Sequence, residues 1–207
     1  MNNQSNKTCF AEILESSITT FNAQCWQWDA ILEFGSLVTA TSNDRTIFAI
    51  IYDITTGPTD PIRQPVAYQK TQEELLSQQP QIFEFLTTSF SCIAVGYSDL
   101  HERILYNLPP QPPKMHTFVH HATTEQYKHF FASEQFLHLL CNATIPLNLQ
   151  ELLLAIIKHQ LSHKTLTKKR LGVFIESFFM LNKNNYLQTK MFLARLQKLL
   201  ETNSDLQ

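Results

Sequence analysis

Glycine is scarce in this 207-residue chain, which has only four, at positions 35, 57, 96 and 172. Neither a GxxxxGKS/T phosphate loop nor a GxGxxG turn can be built from those positions, so P-loop ATP hydrolysis is excluded. The GxSxG elbow of serine hydrolases is missing too. No window approaches the ~18 consecutive apolar residues that a membrane-spanning helix needs. Met1 to Lys7 is polar, with no basic stretch leading into an apolar run, so no secretory signal is visible. The cysteines at 9, 25, 92 and 141 form no CxxC pair, which speaks against structural zinc and gives no disulfide framework. Buried free thiols in a reducing compartment are expected. The lean toward Asn, Ile, Phe, Thr and Gln fits a cytoplasmic protein or, for an organelle-encoded gene, a plastid one.

What is present is a composition that folds around a core, 43% hydrophobic and 16% charged. Charge is unevenly placed. Residues 1–121 hold six Lys and Arg against twelve Asp and Glu, a net of −6, while residues 122–207 hold ten against six, a net of +4. Such halves present two surfaces to different partners, or two surfaces that meet each other.

The first half reads as strands. Phe34–Thr41 and Arg45–Thr55 flank the polar turn Ser42-Asn43-Asp44 and form a hairpin. Ser91–Tyr97 and Arg103–Leu108 repeat the pattern, and Cys9–Glu15 and Ile18–Gln24 are weaker strands. Short strands at this spacing suggest a small closed barrel, because closure removes exposed edges. Gly57–Gln69 carries three prolines, which block ladder hydrogen bonds, so it is an ordered excursion from the sheet. Thr71 and Glu74 have capping-box spacing for a short helix that Pro80 ends. Leu108–Pro113, with four prolines, predicts a semi-rigid spacer, with recruitment of a proline-reading domain as the alternative.

Beyond the prolines the period becomes helical. Two short helices are expected over Thr124–Phe131 and Ser133–Leu140. Asn148 caps a helix running to about His163, with Glu151 at the third position and Leu147 and Leu152 at the staple positions. Leu171, Phe174, Ile175, Phe178 and Leu181 mark a second long helix from near Thr167. Leu187, Met191, Leu196, Leu199 and Leu200 mark a third. The expected class is therefore α+β, a small antiparallel β-barrel followed by an all-α bundle. The divisions are a barrel domain at 8–108, a proline-rich linker and final strand at 109–121, and a helical domain at 122–203.

Constellations that carry chemistry are few. His159 and His163 stand four apart, able to face one metal, but the sequence between them lacks the glutamate of a zincin. The alternative is the exposed polar face of an apolar helix. His116, His120 and His121 cluster after the prolines and can ligate if Glu125 joins them, although strand alternation sends His120 and His121 to opposite faces. Neither group makes a metal or other cofactor an expectation. Lys164, Lys168, Lys169 and Arg170 form the dense basic run, set where a helix begins and anions are favoured, a candidate for sequence-independent nucleic-acid contact or a solvated loop. Asp60, Arg63 and Tyr68 in the excursion are a structural brace or a partner-facing epitope.

The runs FGSLVTATSNDRTIFAIIYDITTG, DPIRQPVAYQ, QPQIFEFLTTSFSCIAVGY and LPPQPP resemble the HAS barrel family, the small barrel at the N-termini of HerA helicases and rotary ATP synthase subunits. The likeness covers roughly Ile31 to Phe118, centred on the Gly35 hairpin and Val95-Gly96-Tyr97, and is closest to stand-alone bacterial barrels. It implies an assembly module without a motor, since residues 122–207 hold no phosphate loop. The function expected is a non-enzymatic adaptor whose barrel docks on a protein partner such as a ring-shaped ATPase. The alternative is a nucleic-acid-binding accessory that uses the basic half.

Overall fold

The computed structural model describes residues 9–60, 62, 65–181 and 186–202, with backbone alone for 186–188. The strands are β1 (Cys9–Ser16), β2 (Thr20–Cys25), β3 (Leu37–Ser42), β4 (Arg45–Pro58), β5 (Leu86–Ser98), β6 (Ile104–Leu105) and β7 (Phe118–His121). Their order is β2-β1-β7-β3-β4-β5-β6, and β2 also pairs with β5. That last pairing closes six antiparallel strands into a barrel, with β6 appended outside the ring.

The β3–β4 hairpin forms as its sequence dictates. Asn43 and Asp44 both adopt positive φ, 53° and 60°, the geometry that matches strand twist in a two-residue turn. β4 and β5 share the longest ladder, from Thr46 opposite Ser98 to Pro58 opposite Leu86, broken by register shifts at Phe48/Ala49 and Ile51/Asp53. Such bulges increase local twist, which lets one long ribbon serve as barrel wall at one end and projection at the other. The strand expected over Arg103–Leu108 contracts to the two residues of β6.

The barrel interior is narrow, and its sequence shows why. Ala11, Ala23, Ala40 and Ala49 leave room for Phe21 and Phe90, with Ile13, Ile51, Val38 and Val119 filling the rest. On the outer wall Leu37, Phe48, Ile50, Ile93 and Val95 belong to a second core shared with the helices. The proline-rich segment does not run free. Ser16 Oγ donates to Pro113 O at 2.7 Å, Lys114 N to Ser42 Oγ at 3.3 Å, and the chain then enters β7 between β1 and β3.

The helices are α1 (Gln72–Gln78), α2 (Thr124–Phe130), α3 (Phe136–Asn142), α4 (Leu149–Ser162), α5 (Lys168–Leu181) and α6 (Tyr186–Thr202), and a 3-10 turn covers Pro80–Phe85. Reciprocal capping boxes start α1 at Thr71/Glu74 and α2 at Thr123/Gln126, and Asn148 caps α4 by accepting from Gln150 N. α4 is the central helix, with Leu152, Leu153, Leu154, Ile156 and Ile157 all buried. Arg195 forks onto Glu151, with Nη2 to Oε2 at 2.8 Å, and ties α6 to its first turn.

Gly35 and Gly96 mark where helices press on the barrel. A Cβ on Gly96 would lie 2.8 Å from Leu105 O and 3.3 Å from the Phe130 ring. The sheet can meet α2 and β6 at that spacing only without a side chain.

Two expectations are corrected. On α6, Leu196 is buried and Leu199 and Leu200 pack against the same core as expected, but Met191 is exposed and Phe192, with Thr189, takes the buried place; the side chain of Leu187 lies outside the described residues. On α4, His159 is buried and not part of an exposed polar face.

Candidate functional site

Past the barrel, the β4–β5 ribbon continues as an arm. β3 pairs with β4 only as far as Leu37 opposite Ile50, and β2 pairs with β5 only over Ser89–Ile93. Beyond those points, Thr56–Pro58 and Leu86–Thr88 pair with each other and carry the described residues between 59 and 85 at their tip. Thr56 and Thr88 hydroxyls meet at 2.7 Å, and Thr59 N donates to Phe85 O at 2.7 Å. Trp28 stacks on Phe83 at 5.1 Å, and its carbonyl accepts from Thr88 Oγ1. These contacts fix the arm's root.

Its tip is built differently. Neither α1 nor the 3-10 turn buries a single residue. Yet the apolar side chains there are large: Ile62 is 88% exposed, Val66 69%, Phe85 46%, Leu76 44% and Tyr68 44%. Val66, Tyr68 and Phe85 line one groove, and exposed apolar groups that meet in this way mark a site where another surface seats. A groove of about 360 Å³ runs between the ribbon end and the proline-rich loop, lined by Pro58, Pro65, Tyr68, Ile82 and Phe85 among others.

Of the three residues singled out in this excursion, Tyr68 forms part of the groove wall. Asp60 is exposed and its Oδ1 accepts from Ile62 N at 3.0 Å, which sets the turn. Arg63 lies outside the described residues. Ile62, Val66, Leu76 and Phe85 were not legible as site residues, since they follow neither a helical nor a strand period. The available signal was their presence within a segment otherwise rich in Pro and Gln.

The basic run divides. Lys164, with φ of 53°, and Lys168 and Lys169 are exposed at the α4–α5 corner. Arg170 turns inward, and its Nη1 donates to Phe131 O at 3.1 Å and Thr165 O at 3.5 Å, closing the C-terminal end of α2. It is committed to the fold.

The histidines separate into different environments. His159 Nε2 lies 3.0 Å from Phe34 O, and its Nδ1 is 3.4 Å from the Glu33 carboxylate. His163 stacks on Tyr127 at 4.0 Å, and the Tyr127 hydroxyl accepts from Leu37 N at 2.8 Å. His121 stacks on Phe10 at 4.0 Å, while His116 pairs with Glu12 at 2.6 Å, well apart in role. Burial holds His120, His121 and His163 below the usual histidine range, the last also through the charge of His159, and pushes Tyr127 up to about 12. The Ser36 hydroxyl is buried at the same seam without a hydrogen-bond partner. Among the described residues no three His, Cys, Asp or Glu side chains converge as a metal site.

None of the four cysteines is in a disulfide. Burial pushes the Cys25 thiol up to about 11 and raises Cys92 as well, so both remain protonated, weak nucleophiles at neutral pH. Among the described residues no helix is long and apolar enough to cross a membrane. No protein-family model and no curated protein matches the chain.

Proposed function

We propose that this chain is a binding module, a HAS-type barrel with a helical buttress, that docks on a protein partner through its arm. The single observation that carries the reading is the group of exposed apolar side chains on an element that buries none of its own residues. A closed antiparallel barrel with Gly35 and Gly96 at close approaches supports the barrel assignment, and the partner class this suggests is a ring-shaped ATPase or similar machine. No step of bond breaking is assigned to it: the chain acts as an adaptor and not as an enzyme. The test is affinity purification from native extract with and without nuclease, comparing wild type with Tyr68→Ala/Phe85→Ala. A stoichiometric protein partner that survives nuclease and is lost in the double variant is expected. Equal recovery by both proteins overturns the arm's role.

A second reading, a nucleic-acid-binding accessory, rests on Lys164, Lys168 and Lys169, which are exposed with no acidic residue between Lys158 and Arg170. Binding of this kind falls steeply with salt because each phosphate contact releases counterions. A Lys168→Glu/Lys169→Glu protein that binds single-stranded or duplex DNA as wild type does would remove it.

A further inference from the structure

The arm's charges state what chemistry it accepts. Residues 56–88 contain four acids, Asp60, Glu73, Glu74 and Glu84, against two basic residues, Arg63 and Lys70. All four acids are exposed, in the same segment as the exposed Val66, Tyr68, Leu76 and Phe85. A surface of this composition complements an apolar strip bordered by cations.

The same chain presents a helix face with two exposed apolar side chains, Val173 and Met180, and lysines at its start. Residues 169, 172, 173, 176 and 180 recur at helical spacing on one side of α5, and all are exposed. Val173 is 41% and Met180 68% exposed, and a Cβ placed on Gly172 meets nothing within 4 Å. The opposite side of α5, with Phe174 and Phe178, is already used in the core. Lys164, Lys168 and Lys169 border the start of the strip, and Glu176 is its one acid.

Resting on the reading of the arm as a docking surface, we propose that its occupant is a second copy of this chain: the acidic arm of one molecule seats on the basic start and outer strip of α5 in the next. The two surfaces differ, so the contact is heterologous and propagates head to tail unless its rotation closes a ring. An arm of this size covers less than a standard interface, so the association is weak and depends on charge.

Sedimentation velocity on the full chain tests this with two charge reversals. Glu73→Lys/Glu84→Lys alters only exposed arm residues and spares the Glu74 cap. Lys168→Glu/Lys169→Glu places acids at a helix start, where the dipole favours them, so the fold is not weakened. Wild type is expected to self-associate with rising concentration, and raising salt from about 0.05 to about 0.5 M weakens this about tenfold or more. Each reversed protein alone is expected to be monomeric. Their equimolar mixture is expected to associate again, because every arm then faces an α5 of opposite charge. A wild type that stays monomeric at low salt, or reversed proteins that associate as wild type does, overturns the proposal. If the chain is monomeric while Tyr68→Ala/Phe85→Ala still abolishes recovery of another protein, self-docking falls and the arm's role as a docking surface stands.

Discussion

Gly35 lies against Ala155 so closely that a Cβ built on it would sit 2.5 Å from the Ala155 Cβ. Its φ is +81°, in the left-handed region that side chains disfavour. The loop before β3 and the middle of α4 are thus held at a backbone-to-helix spacing that only glycine permits. Gly35→Ala meets both penalties, strain and overpacking, and a loss of about 2–4 kcal/mol is expected, read as a lower urea midpoint with unchanged slope.

Arg170 and its lysine neighbours should behave in opposite ways. Arg170→Ala strands the Phe131 carbonyl at the end of α2 and should cost about 1–3 kcal/mol. Lys168→Ala and Lys169→Ala should each stay within about 0.5 kcal/mol of wild type, since both side chains are exposed. Chemical denaturation of the three proteins separates the committed residue from the two that are available.

Aromatic residues of the arm and of the barrel should separate as cleanly. Phe21→Ala empties part of a fully packed interior and is expected to cost about 3–5 kcal/mol. Phe85→Ala removes a ring already 46% exposed, and the expected change is about 1 kcal/mol or less. A large loss of stability in Phe85→Ala would show the arm to be part of the core.

Acidification should loosen the seam between barrel and helices. His120, His121 and His163 are held below their ordinary range by burial, so their unfolded forms take up protons first. A depressed histidine contributes full stability above its unfolded value, about 6.5, and loses it as pH falls through the folded value. The melting temperature should therefore fall between about pH 7 and 5. His163→Phe, which retains a ring over Tyr127, should flatten part of that slope. An unchanged slope in the variant would remove His163 from the set.

Much of this architecture was legible because local chemistry and global fold agree. Asn43-Asp44 set the hairpin, Thr71 with Glu74 and Asn148 set helix starts, and alternating apolar residues set the strands. Where reading failed, two interpretations shared one pattern. Met191 stands four residues after Leu187 and Phe192 four before Leu196, so each has a helical partner, and packing against Phe178 selects Phe192. The polar face of α4 runs through Glu151, Lys158 and Ser162, and His159 lies one position off it, against Phe34 O. The groove beside Tyr68 had no periodic signature, because its residues are not arranged to fill their own core.

The placement of β7 has a consequence for synthesis on the ribosome. The stave between β1 and β3 is the last to be translated, after the prolines, so β1 and β3 emerge with bare edges and wait for residues 118–121. Until then the nascent barrel is an open sheet with sticky margins, and a chaperone or a rapid arrival of the final stave must shield them.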